Sequence, residues 1–212
     1  MPELDGTRLT FKLVYYGPAK SGKTTNLMRL HDLVAPAMKG DLMTLDTQGD
    51  RTLFFDLLPM GFVAPSGLLI KFRVFTVPGQ VAHDGTRKAV LSRADGVVFV
   101  ADSQVTEETN NAESFRNLAE NCARVGLDFD RLPLVVQFNK RDLSPILAED
   151  EVRQRWAGVS WPLTFATALS GIGVAETFAL LLRALFRQFD QELELSSRHG
   201  LDEAAFVAGI LP

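Results

Sequence analysis

Hydrophobic and polar positions alternate along the chain in a way that predicts strands and helices in turn. Phe11-Lys12-Leu13-Val14-Tyr15-Tyr16 is rich in β-branched and aromatic side chains and stops at Gly17-Pro18, as a strand does. From Gly22 to about Met38 the apolar residues Leu27, Leu30 and Val34 recur at helical spacing. After a polar stretch, Leu69 to Thr76 reads as a second strand. Gly96-Val97-Val98-Phe99-Val100-Ala101-Asp102 is an unbroken apolar run, expected of a strand covered on both faces. Asn111 to about Arg124 is helical, with Phe115, Leu118 and Cys122 on one stripe. Leu132 to Phe138 is another buried strand, Pro162 to Ala166 a weaker one, and Gly173 to Glu192 a long helix. Strands alternating with helices predict an α/β domain built on a mostly parallel central sheet with helices on both faces. The domain is expected over residues 1–192. Residues 193–212 form a C-terminal extension with Leu201, Ala204, Ala205 and Val207 as a candidate docking helix.

Composition narrows the class. At 212 residues, 46% hydrophobic and 23% charged, the chain is long enough for a self-sufficient core. One cysteine, Cys122, excludes an intramolecular disulfide and suits a reducing compartment. A net charge of −4 gives no footprint for nucleic acid. No run of about 20 apolar residues occurs. The first residues lack signal-peptide character and a glycine at position 2, and the last lack a prenylatable cysteine. The expectation is a cytoplasmic protein with no direct membrane anchor, so that any membrane contact would be through a partner or an amphipathic surface.

The sharpest motif is Gly17-Pro18-Ala19-Lys20-Ser21-Gly22-Lys23-Thr24, a G-x-x-x-x-G-K-[ST] loop between a strand and a helix. Its glycines let backbone N–H groups turn inward around phosphates, and the helix N-terminus adds a favourable dipole. Lys23 is placed to reach the β- and γ-phosphates and the Thr24 hydroxyl to ligate Mg²⁺. Thr25 completes the set. Asn139-Lys140-Arg141-Asp142 follows a buried strand and selects the base. The Asp142 carboxylate accepts from the guanine ring N1–H and 2-amino group, whereas adenine would leave it facing a lone pair, at a cost of about 1–3 kcal/mol or more. Asn139 would hold the loop and the base edge, with the Lys140 stem along the ring face. Ala168 and Leu169, after the last strand, would offer backbone donors to the guanine carbonyl. Taken alone, the Asn139–Asp142 stretch is also compatible with a polar turn.

Thr76-Val77-Pro78-Gly79-Gln80 ends the second strand, with Gly79 placed to present its N–H to the γ-phosphate and Gln80 to orient the attacking water. Together with Leu13 to Pro18, Gly22 to Leu27, Asp50 to Asp56, Asp95 to Gln104 and Asn139 to Leu143, this stretch resembles the MglA family of bacterial Ras-like GTPases. The matches cover most of residues 11–190. The resemblance implies a Ras-like P-loop fold, GTP or GDP with Mg²⁺ as ligands, and slow GTP hydrolysis. It also implies a role in cell polarity or motility, a Roadblock-domain homodimer as GTPase-activating partner and a downstream effector. It further implies that Arg51 is an arginine finger within the chain and that Thr52 contacts Mg²⁺ or the γ-phosphate. The segments around 46–57 and 77–88 would be ordered by the γ-phosphate.

Thr76, a trait of the resembled family, departs from ordinary Ras-like proteins, and Ala19 departs from the family pattern itself, although other Ras-like branches tolerate non-glycine residues there. Thr76 stands where an aspartate usually holds a Mg²⁺-bound water, and Asp56 is either the replacement charge or an ordinary strand-end aspartate. Ala19 stands where a glycine is expected, and its methyl group would crowd Gln80 and slow hydrolysis. A nucleotide-locked scaffold with little turnover is therefore the alternative to a cycling switch, and a P-loop ATPase or kinase is disfavoured by Asp142. Among the remaining residues, His31, His83 and His199 lack metal-ligand spacing, and Trp156 and Trp161 are expected under the last helix. Phe54, Phe55 and Leu57 read equally as a partner-contact patch or a strand face.

Overall fold

A computed structural model of the chain describes residues 2–46, 54–78 and 84–212. The central strand, β2 (Arg8–Tyr16), alternates between two cores. Leu9, Phe11, Leu13 and Tyr15 enter one apolar cluster, and Val14 and Tyr16 enter the other. The period of two along a strand puts successive side chains on opposite faces, so a strand apolar at almost every position needs cover on both.

Seven strands form the order β3 (Met43–Asp46), β4 (Phe54–Val63), β5 (Leu69–Thr76), β2, β6 (Gly96–Asp102), β7 (Leu134–Asn139) and β8 (Leu163–Phe165). The short β1 (Glu3–Asp5) pairs with the start of β2. Pairing is parallel from β5 through β8, and β3 and β4 add antiparallel strands beyond β5. One face carries α1 (Lys23–Leu33) and α5 (Val174–Leu193), and the other α3 (Glu108–Arg124), with α2 (Asp84–Leu91) and α4 (Glu149–Arg155) beside it. Because α1 and α2 leave β2 and β5 for opposite faces, a crevice opens between them at the carboxyl ends of the strands, where such sheets bind ligands.

The structure adds and corrects elements. The first helix ends at Leu33 rather than near Met38, since Pro36 starts a separate 3-10 turn, Pro36–Met38. β3 and β4 occupy what the hydropathy pattern leaves as a polar stretch. Pro59 and Gly61 interrupt β4 in sequence, yet Pro59 lies beyond the end of β3, where a missing N–H breaks no ladder bond. Trp156 and Trp161 do not lie under α5. They pack on the opposite face, with Phe115 centroids at 5.1 and 5.6 Å, because α3 and α4 supply the aromatic partners there.

The C-terminal extension docks on the domain. α6 (Glu203–Ala208) is capped by Asp202, whose carboxylate accepts from the Ala205 N–H. Its buried residue is Phe206, with Leu201, Ile210 and Leu211 flanking it, while Ala204 and Ala205 are exposed. Of the four residues named for this segment, Leu201 is buried and Val207 packs partly against the core, whereas Ala204 and Ala205 face solvent. Phe206 meets Phe11, Phe62, Phe72 and Phe186 at centroid distances of 5.6–6.0 Å.

Candidate functional site

The crevice collects the two motifs at the ends of β2 and β7. Gly17 leaves β2 at φ 146°, and a Cβ there would stand 2.2 Å from the Val100 carbonyl oxygen of β6. Gly22, at φ 101°, would put a Cβ 2.2 Å from the Asn139 amide nitrogen. Both positions need glycine for space as well as for backbone angle. Lys20, between them, is also left-handed at φ 61°. Alternating backbone hands of this kind turn successive N–H groups toward one point and make a concave anion site.

Lys23 closes this loop on itself. Its ammonium donates to the carbonyl oxygens of Gly17 at 3.0 Å and Pro18 at 2.6 Å. Burial pulls its pKa down to about 7, the charge of Arg87 adds to that fall, and Asp56 opposes it. The Ser21 hydroxyl is buried in the same loop without a hydrogen-bond partner. Ala19 and Lys20 are exposed at the crest, and Thr25 is half-buried on the first turn of α1. A glycine-shaped cradle, a buried lysine and an orphaned hydroxyl fit a polyphosphate.

The base side is stitched to the phosphate side by one side chain. The Asn139 amide donates to the Ser21 carbonyl at 2.8 Å and accepts from the Ala168 N–H at 2.9 Å. The phosphate loop, the Asn139–Asp142 turn and the 168–170 turn are therefore a single framework. Arg29 of α1 ties the last of these down by donating to the Leu169 carbonyl at 2.7 and 3.1 Å. Lys140, left-handed at φ 65°, pairs with the buried Asp102 at 2.5 Å. Asp142 is exposed at the rim, free to accept from a base edge.

Thr24 and Thr76 meet at one carboxylate. The Thr24 hydroxyl donates to Asp56 Oδ2 at 2.6 Å, the Thr76 hydroxyl donates to the same oxygen at 3.1 Å, and Thr44 donates to Oδ1 at 3.1 Å. Thr76 Oγ1 also accepts from the Asp56 N–H at 2.8 Å. Asp56 is only 6% exposed. The antiparallel register of β4 on β5, which pairs Leu57 with Phe75, carries it beside Thr76, so a buried carboxylate stands within hydrogen-bond reach of that threonine.

Residues that sequence reasoning missed lie beneath the site. Asn26 and Gln137 exchange amide hydrogen bonds at 2.9 and 3.0 Å, and Gln137 donates to Thr177 at 2.8 Å. Thr177 meets Thr164 at 2.9 Å, and Asn26 also donates to the Gly22 carbonyl at 3.0 Å. All four side chains are buried, and together they join α1, β7, β8 and α5 directly behind the two motifs. A polar residue inside a strand otherwise apolar, as Gln137 is, was the available signal. Arg51, Thr52, Gly79, Gln80 and His83 lie outside the described residues.

No protein-family profile matches the chain. It is 42% identical over 177 residues to the mutual gliding-motility protein MglA of Myxococcus xanthus (strain DK1622), across 84% of this chain and 91% of that protein. At that identity and coverage, with a mixed α/β sheet domain that carries the phosphate loop after its central strand, the chain belongs to the MglA family of Ras-like proteins.

Proposed function

We propose that this protein is a GTP-binding switch that hydrolyses GTP slowly and acts in bacterial cell polarity or motility. The observation that carries the reading is the Asn139 side chain, which bonds the phosphate loop and the 168–170 turn at once. A spacing match can arise in a loop of no function, whereas this bridge requires the two motifs to face a common ligand. Gly17, Ser21, Gly22, Lys23 and Thr25 would hold the phosphates. Asn139, Lys140, Asp142, Ala168 and Leu169 would hold guanine. Thr24 and Thr52 would hold Mg²⁺, which would supply neutralisation of phosphate charge.

In this reading Lys23 exchanges two carbonyl oxygens of its own loop for phosphate oxygens, a charge-assisted gain. Asp56 orients the Thr24 hydroxyl and supplies the carboxylate that Thr76 lacks. That arrangement favours a cycling switch over a nucleotide-locked scaffold, because the substitution at Thr76 is compensated across the ladder. The family resemblance supports Gln80 as the residue that orients water and Arg51 as the finger, the latter worth about 10³–10⁵ in rate once placed. It likewise supports a Roadblock-domain homodimer as the activating partner, which would bring turnover above a slow basal rate.

Equilibrium titration of nucleotide-free protein with fluorescent GDP, GTP and ADP tests the reading. Guanine nucleotides should bind at least about a hundredfold more tightly than ADP, and Asp142→Asn should remove most of that preference. Equal affinity for ADP would overturn it.

A further inference from the structure

Arg87, on α2, is the largest side chain among the described residues with no exposed surface. Its guanidinium carbon lies 4.3 Å from the centre of the Tyr16 ring, and Nη2 donates to the Ser114 hydroxyl of α3 at 3.0 Å. Its Nε–H and Nη1–H have no hydrogen-bond partner among the described residues. Among the described residues, no carboxylate lies within ion-pair distance of it. A ring face and one neutral hydroxyl offset only part of the cost of taking a cation out of water. Burial of this kind is tolerable when an anion completes the site.

The position of the cation says which anion that is. Tyr16 is the last residue of β2, and Gly17 begins the phosphate loop, so a guanidinium stacked on Tyr16 lies at the root of that loop. Arg87 behind the loop and Lys23 within it are two buried cations on the phosphate side of the crevice. A ligand that carries several negative charges on a compact group suits such a pair.

We infer that Arg87 is a second buried cation of the phosphate site, a positioning residue that favours a nucleoside triphosphate over the diphosphate. The inference rests on the guanine-nucleotide reading above. The triphosphate brings additional negative charge to the terminal position, and a fixed cation adds to the attraction for each increment. One such increment, across about 10 Å at an effective dielectric constant of about 20, changes affinity by roughly tenfold.

The test compares wild-type protein with Arg87→Gln, Arg87→Met and Arg87→Lys. Each is titrated with fluorescent GDP and a non-hydrolysable GTP analogue in Mg²⁺, after circular dichroism has shown which variants fold. The neutral variants should lose about tenfold in the ratio of triphosphate to diphosphate affinity, and Arg87→Lys should keep the ratio within about threefold of wild type. A merely structural arginine would weaken both nucleotides alike and leave the ratio unchanged. An unchanged ratio in a folded neutral variant therefore overturns the inference, as does a ratio lost in Arg87→Lys. If neither neutral variant folds, Ser114→Asp, which sets a carboxylate beside the guanidinium, replaces them: the ratio should fall about tenfold, and an unchanged ratio overturns the inference. Wild-type protein that binds neither nucleotide would instead overturn the guanine reading itself.

Discussion

At the scale of single residues, the informative substitution is Thr76. Its hydroxyl sits 3.1 Å from the Asp56 carboxylate and donates to it. Restoring the usual aspartate would set two carboxylates against each other in a largely buried site, each favouring the neutral form of the other. Thr76→Asp should lower stability by about 2–4 kcal/mol at neutral pH, and acidification should return part of it as one carboxyl takes up a proton. A melting curve at pH 5 and pH 7.5 reads the effect, and a more stable Thr76→Asp at pH 7.5 would contradict the Asp56 assignment. Sequence alone offered Asp56 as one of two readings. Its place beside Thr76 follows from the register of β4 on β5, which no local pattern encodes. Cys122 shows the converse, since its place on the apolar stripe of α3 was readable from periodicity. It is fully buried, and desolvation pushes its thiol up to about 12. Alkylation by iodoacetamide at pH 8 should follow the rate of opening of the protein and accelerate only as denaturant unfolds it.

At the scale of elements, the pattern of side chains revealed those with a continuous period and concealed those set by their neighbours. β6 and β7 are apolar runs whatever surrounds them, and the strands were evident at once. β4 carries Pro59 and Gly61 and reads as a broken segment until β3 is seen to pair with it only as far as Leu57. α4 is seven residues, mostly charged, too short for a periodic signal. α6 had a legible position and an illegible face, because a six-residue helix is oriented by what it lands on. Here that is a group of aromatic rings, and Phe206 is the anchor. Phe206→Ala should cost about 3–5 kcal/mol through the cavity it leaves, lowering the melting temperature by about 10 °C. Ala205→Ser, at an exposed position of the same helix, should change it by less than about 2 °C.

At the scale of the whole molecule, the site depends on a buried polar layer that no single motif contains. Asn26 follows the phosphate loop by two residues and Gln137 precedes Asn139 by two. Their reciprocal amide bonds fix the distance between the phosphate and base halves of the crevice. Removing one partner leaves an unpaired buried amide. Asn26→Leu or Gln137→Leu alone should cost about 1–3 kcal/mol, and the double variant less than their sum. Denaturant titration of all four proteins gives the coupling, and strict additivity would mean that the pair does not act as a unit. The motifs announced the ligand-facing residues because chemistry restricts their types. Nothing comparable restricts a supporting pair, which needs only matching donors and acceptors at a distance the fold supplies.

The central place of β2 has a consequence for how the protein is made. This strand is synthesised first, yet its neighbours β5 and β6 end at Thr76 and Asp102. Until both have left the ribosome, Phe11, Leu13 and Tyr15 have no sheet to join, and the entropy of closing such long loops opposes early pairing. Nascent chains halted before about residue 100 should be captured by holdase chaperones, and those released after β7 has emerged should escape them. The strand that ends in the phosphate loop is therefore the first to be translated and among the last to be secured, which places the vulnerable interval of this protein before its folding rather than after.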